Sequence, residues 1–189
     1  MKPAALVLTV ALAAPAAQAN EFEPMMRDFV TNHVMVWTSD PVLINAIRQQ
    51  NRSHADVTQA DIDSMDRTWR AQVDTDNHPL VDSVVENPAA DFLREQLMAS
   101  AGVISELFIM DEHGLNVAAS GATSDYWQGD EDKFTESYGA GKDAMHVGDI
   151  EFDESSQGYL GQVSLPVIDP QSGAVIGAIT IGLNAEMLF

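Results

Sequence analysis

The sequence predicts an α+β fold: a long N-terminal helix and a helical layer packed on a roughly five-stranded antiparallel sheet. Three observations predict it. Apolar residues recur every three or four positions through the helical part, residues 20–100. At Gly102 that period gives way to β-rich, alternating segments. Two turn sequences, Asp111-Glu112-His113-Gly114 and Asp169-Pro170-Gln171-Ser172-Gly173, then separate pairs of such segments, as in hairpins. Helices that precede strands in this way form a layer on a sheet face.

The first helix is expected over Glu21 to Trp37. Phe22, Met25, Met26, Phe29, Val30, His33, Val34 and Trp37 form a single stripe. Ser39-Asp40-Pro41 stops it and starts a second helix, with Asp40 as N-cap and Pro41 as first helical residue. That helix runs through Leu43, Ile44 and Ile47 to about Asn51. Thr58 caps a third helix, Gln59 to about Val73, with Asp61 as capping-box partner. Leu80 to Val85 and Pro88 to Ser100 supply one or two more, the latter with Phe92, Leu93 and Leu97 facing the core.

The sheet part, 101–189, is expected to be a meander. Val103 to Met110 and Leu115 to Ser120 form a hairpin. A short helix follows from about Asp130 to Tyr138, then a short strand from His146 to Phe152. Gly158 to Ile168 is a longer, half-buried strand with Tyr159, Val163, Leu165 and Val167 on one face and Gln162 and Ser164 on the other. Pro166 marks an edge or a bulge. In the last strand, Ala174 to Leu183, large Val175, Ile179, Ile181 and Leu183 alternate with small Ala174, Ala178, Thr180 and Gly182. The small face either sits close to a helix or leaves room for a ligand.

Residues 1–19 read as a secretory signal peptide: Lys2, an apolar run from Ala4 to Ala14, then Pro15 and Ala17-Gln18-Ala19. Cleavage after Ala19 leaves one domain, 20–189, of about 170 residues, enough to bury a core unaided. The run is shorter than the roughly 20 residues a permanent span requires. With no cysteine anywhere, disulfides and lipid-anchored cysteines are excluded. The expected location is the periplasm, as a soluble exported protein with no membrane insertion. The formal charge of −20, or −21 once Lys2 is removed, makes nucleic acid a poor partner. Such acidity suits either a solvated surface or a field that attracts cations.

One stretch concentrates chemistry. Thr123 to Phe134 holds adjacent aromatics Tyr126 and Trp127, carboxylates Asp125, Asp130, Glu131 and Asp132, one lysine and Gly129. Together with Asp111 and Gly114 before it, Asp153 to Ser155 after it and the closing Pro166-to-Gly177 hairpin, it makes the chain resemble a single Cache domain. Cache domains are PAS-like extracytoplasmic sensor modules (the PDC sensor family) of chemoreceptors and histidine kinases. The resemblance covers most of Glu21 to Phe189 and is weakest over the middle helices. Membrane-bound relatives continue into a transmembrane helix, whereas this sequence stops at Phe189, so it reads as a stand-alone, soluble form.

The resemblance implies a ligand held between the sheet and the covering 123–138 loop and helix. The implied wall is Tyr126, Trp127, Asp130 and Phe134, with Asp153 at the position where an acidic residue holds an amino group. The composition of the sheet part bears on the ligand. From Ala101 onward there are fifteen carboxylates, no arginine, and only Lys133 and Lys142 beside His113 and His146. A carboxylate ligand favours an arginine fork, whereas an ammonium favours carboxylates and aromatic faces. The expected ligand is therefore a small molecule bearing an amine or cation, unless Arg67, Arg70 or Arg94 reaches in from the helices.

Each assignment has a plainer counterpart. Tyr126 and Trp127 could plug the loop onto the core, Asp125, Asp130 and Glu131 could cap turns, and Asp153 could be a turn residue. No cofactor is expected, and the five histidines lack metal-ligand spacing. A calcium or magnesium site would draw on Asp130, Asp132, Asp149 and Asp153, without a calcium-loop motif. No nucleophile elbow or phosphate-cradling loop is present, so the expectation is not an enzyme. Two alternatives stay open. One is a partner-binding or dimerising periplasmic protein, whose 21–38 helix pairs with a second copy or contacts a membrane receptor or kinase. The other is a divalent-metal-dependent hydrolase.

Overall fold

The computed structural model describes residues 22–153 and 158–189, with the backbone alone at Asp153. The expected leader at 1–19 lies outside the described residues. Among the described residues six α-helices precede or punctuate the strands: α1 Glu23–Phe29, α2 Pro41–Ser53, α3 Gln59–Gln72, α4 Pro79–Val85, α5 Pro88–Ala99 and α6 Asp132–Thr135. The strands are β1 Ile104–Met110, β2 Asn116–Ala119, β3 His146–Val147, β4 Glu151–Asp153, β5 Gly158–Ile168 and β6 Val175–Asn184. The fold is α+β with an antiparallel PAS-like sheet.

The helix boundaries follow local chemistry. Asp40 accepts the Val42 amide at 2.9 Å ahead of Pro41, and Thr58 and Asp61 close a reciprocal capping box on α3. Asn87 caps α5 by accepting the Ala89 and Ala90 amides. α1 continues through Val30–Val34 as a π-helical turn, closed by the Met35 amide on the Val30 carbonyl. Its stripe lies against its own sheet, with Met26, Val30 and Val34 fully buried.

The sheet departs from a meander. Its order is β2-β1-β6-β5-β3, with β4 also on β5, so the last strand lies between the first and the fifth. The expected His146–Phe152 strand is split into β3 and β4, and Gly148 between them bonds the Gln162 carbonyl. The expected 130–138 helix shortens to α6 and a 3-10 turn at Tyr138–Ala140. Beyond β3 no strand among the described residues flanks Pro166, which pairs only with Ala178. The missing proline N–H thus faces an edge.

Register divides the sheet into two unlike faces. Leu107, Ile181, Val163 and Val147 align across one, beside Ile109, Ile179 and Leu165. This face and the inner sides of α1, α2 and α5 form the main core. Glu106, Gly182 and Gln162 align across the other, beside Phe108, Thr180, Ser164 and His146. Here β5 departs from a half-buried strand, because Ser164 is as fully buried as Val163. The helices are not confined to one face either. Ile62 and Trp69 of α3 and Val81 and Val84 of α4 join Phe108, Met110 and Ala178 in a second cluster, on the side opposite the main core. α3 and α4 carry an apolar stripe of their own, which the filled first face cannot take.

Two carboxylates fasten helix to sheet. Asp111 is fully buried in the β1–β2 turn, where its Oδ1 accepts the His113 and Leu115 amides at 2.9 and 3.0 Å. Its Oδ2 meets Gln50 Nε2 at 3.0 Å and His54 Nδ1 at 2.9 Å at the end of α2. Asp169 accepts Arg48 Nε at 2.9 Å and the Gln171 amide at 2.7 Å in the β5–β6 turn.

Replacing Asp111 by alanine strands several buried donors and is expected to cost roughly 3 kcal/mol, measured by urea unfolding. Asp169 sets an acid limit. The Arg48 guanidinium, with the turn amides, holds its carboxyl down to about 2, against about 3.9 for an unfolded aspartate. A depressed folded pKa stabilises above the unfolded value and loses that contribution as pH falls through the folded one. Melts between about pH 4 and 2 should therefore fall less steeply for Asp169→Asn than for the wild type.

Candidate functional site

The segment after β2 crosses the polar face of the sheet and is fastened first at its start. Asp66 of α3 accepts the Tyr126 and Trp127 amides with Oδ1, at 3.0 and 3.2 Å, and Arg70 Nε with Oδ2, at 2.9 Å. Arg70 also reaches Asp125 at 3.1 Å. The Asp66 hydrogen bond and charge, then Asp125, raise the Arg70 pKa further, so this clamp stays charged. Trp69 donates its indole N–H to the Thr123 carbonyl at 2.9 Å.

Two glycines let the segment settle on the β1–β2 turn. A Cβ at Gly129 would lie 2.7 Å from the His113 carbonyl and closer still to the Trp127 indole. Gly114, at φ +80°, would place a Cβ 2.5 Å from Gly129 Cα. Through this contact Trp127 donates Nε1–H to the His113 carbonyl at 2.9 Å, and Leu115 bridges to Trp127.

The sequence-expected wall residues consequently lie in different places. Tyr126 is buried and stacked on Trp69, with ring centroids 5.5 Å apart. Burial pushes its phenol above the ordinary value, and the Asp111 charge adds to the shift. Trp127 lines a hollow of about 460 Å³ against α3, together with Asp63, Arg67 and Arg70. Phe134 is the buried residue of α6, stacked on Tyr138 at 4.9 Å. Asp130 is exposed and borders both this hollow and a larger one. The Asp153 side chain lies outside the described residues, although its backbone pairs with Gly158.

The larger cavity, about 1010 Å³, opens between the polar sheet face and α6. Its floor is Glu106, Gly182 and Gln162, with Gln162 Nε2 donating to Glu106 Oε1 at 2.6 Å. Its walls carry Asp130, Glu131 and Asp132 from the cover, and Asp149 and Glu151 from the β3–β4 edge. Lys133 and His146 are the basic side chains that line it. Lys133 Nζ sits 3.1 Å from Glu131 and 5.7 Å from the Phe108 ring centre. His146 Nδ1 is 3.4 Å from Glu136, joining β3 to the end of α6. Arginine is missing from the lining: Arg67 and Arg70 face the smaller hollow, and Arg94 bonds the Val85 carbonyl. Among the described residues no three histidine or carboxylate side chains gather as a metal site.

Sequence reading missed Glu106, Lys133, His146 and Glu151 as cavity residues. The signal for the floor was present in the small Thr180 and Gly182 positions, but which β1 and β5 residues lie beside them depends on register.

Asp66→Ala would leave the Tyr126 and Trp127 amides without their acceptor. The expected cost is about 2 kcal/mol in urea unfolding, with faster hydrogen exchange at those two amides than in the wild type.

No protein-family model matches the chain, and no curated protein matches it. Solved structures with a similar arrangement include the sensor domain of the V. cholerae histidine kinase DctB, at 14% identity and TM-score 0.45, covering 89% of this chain and 57% of that one. The sensory domain of the Campylobacter jejuni chemoreceptor Tlp3 with isoleucine bound is similar at 12% identity and TM-score 0.40, covering 92% and 66%. The ligand-binding domain of the Pseudomonas aeruginosa amino acid chemoreceptor PctC in complex with GABA is similar at 12% identity and TM-score 0.41, covering 86% and 63%. This chain thus spans less than two thirds of the length of each. No helix among the described residues is long and apolar enough to cross a membrane.

Proposed function

We propose that this chain is an exported, Cache-like sensor module that binds a small amine or cationic molecule between its sheet and the 123–138 cover, and reports or delivers it through another protein. One observation carries the reading. A cavity of about 1010 Å³ lies between a small-residue strand face and a carboxylate-rich cover. Its volume suits a metabolite-sized ligand. Six carboxylates line it against one lysine and one histidine, so a neutral or positive guest is favoured over an anion. Glu106 with Gln162 adds a polar floor, and the buried Phe108 ring lies beneath the Lys133 ammonium.

In this reading Asp130 receives the amine at the rim, Asp153 is the second carboxylate for it, and Tyr126, Trp127 and Phe134 hold the cover in place. Export rests on Lys2, the Ala4–Ala14 run and Ala17-Gln18-Ala19. The module acts by binding rather than by catalysis, and its downstream partner is a membrane receptor or kinase.

Thermal melts against amines, carboxylates and divalent ions test this. A bound amine at a hundred times its dissociation constant stabilises by about 2.7 kcal/mol. Amines should raise the melting temperature, carboxylates should not, and Glu106→Gln should weaken the amine effect. If no small molecule shifts the melt while a receptor ectodomain binds, the partner-binding reading replaces this one. A Trp127→Ala, Asp153→Ala double variant with full amine affinity would remove both residues from the site.

A further inference from the structure

The cavity already contains a cation. Lys133 enters from the first turn of α6, and its side chain is only 18% exposed. Its ammonium rests between the Glu131 carboxylate, 3.1 Å away, and the face of Phe108, 5.7 Å from the ring centre. Phe108 belongs to β1 and is itself buried. These are the two groups that recognise an ammonium: a carboxylate for its charge and an aromatic quadrupole for its face. The chain has three lysines in all, Lys2, Lys133 and Lys142, and Lys142 is exposed. The long stem of a lysine allows its head group to swing out to water at little steric cost.

We propose that Lys133 is a tethered stand-in for the ligand: its ammonium fills the cation subsite made by Phe108 and Glu131, and an incoming amine binds by displacing it. This rests on the amine-binding reading above. It names the subsite within the cavity and the residue that sets its threshold. Each binding event exchanges one buried cation for another, so the charge inside the cavity changes little. The displaced ammonium emerges on the outer side of the cover, where a partner protein can read it. Lys133 thereby converts occupancy of a covered site into a change of surface charge.

Lysine acetylation of the native full chain, quantified by mass spectrometry, tests the displacement directly, with Lys142 as the exposed reference. The probe is tetramethylammonium, which carries the charge but no reactive N–H, with sodium chloride as the ionic-strength control. Lys133 should react more slowly than Lys142 in the free protein, and tetramethylammonium, unlike sodium, should bring its rate toward that of Lys142. Lys133→Met keeps the apolar stem and vacates the subsite, so it should bind the probe about three- to tenfold more tightly than the wild type. Lys133→Gln provides a second vacated subsite should the methionine variant fold poorly. Probe binding by the wild type with no change at Lys133, or weaker binding by both variants, would overturn the displacement and leave the amine site standing. Failure of wild type and variants alike to bind the probe or any amine would overturn the amine reading and this proposal together.

Discussion

The arrangement depends on the central position of β6. It is hydrogen-bonded to β1 on one side and β5 on the other, so neither of its edges is free. Its side chains obey the period of two strictly: Ile179, Ile181 and Leu183 point to one face, and Ala178, Thr180 and Gly182 to the other. The large face is the floor of the main core. The small face cannot fill the space above it, and the cavity lies there, over Gly182. One strand therefore determines both where the protein is solid and where it is hollow. A one-residue slip would exchange the two.

The cover over that hollow is held unequally. Its first half is pinned by directional polar contacts: two backbone amides on Asp66, an indole on the His113 carbonyl, and a glycine-to-glycine approach that admits no side chain. Its second half is seated on the core by the Phe134 ring and reaches β3 through one longer polar contact near solvent, Glu136 with His146 Nδ1 at 3.4 Å. Polar contacts near solvent are weaker and less directional than buried hydrogen bonds. The cover thus has a firm root at α3 and a looser edge at β3, which suits a site that must admit a molecule from one side.

The arginines explain the charge of the cavity. Arg27 pairs with Glu23 and the Met145 carbonyl, Arg48 with Asp169, Arg70 with Asp66 and Asp125, and Arg94 with the Val85 carbonyl. Each fastens a helix to something outside its own turn or closes an acidic neighbour on the same helix, and none lines the larger cavity. The acids of the sheet part are left to face one another across the opening. Lys133 relieves that repulsion only in part.

Much of this architecture was written in local chemistry. The caps at Asp40 and Thr58, the β1–β2 and β5–β6 turns and the alternation of β6 depend on residues close in sequence, and sequence alone determined them. So did the acidity of the cover and the absence of arginine beyond Arg94. The tertiary structure decided what depends on pairing across distance. It put β6 beside β1, where a meander had been expected, and it divided the 146–152 segment around Gly148. It also sent α3 to the cover side. Tyr126 became a plug because Trp69, far away in sequence, offered a stacking face. Glu106 and Lys133 became cavity residues because the β1–β6 register and the seat of the cover set them opposite one another. Local hydrogen bonds and side-chain period are properties of short segments and can be read from them. Which face meets which, and therefore where space is left for a ligand, is settled only when the whole sheet closes.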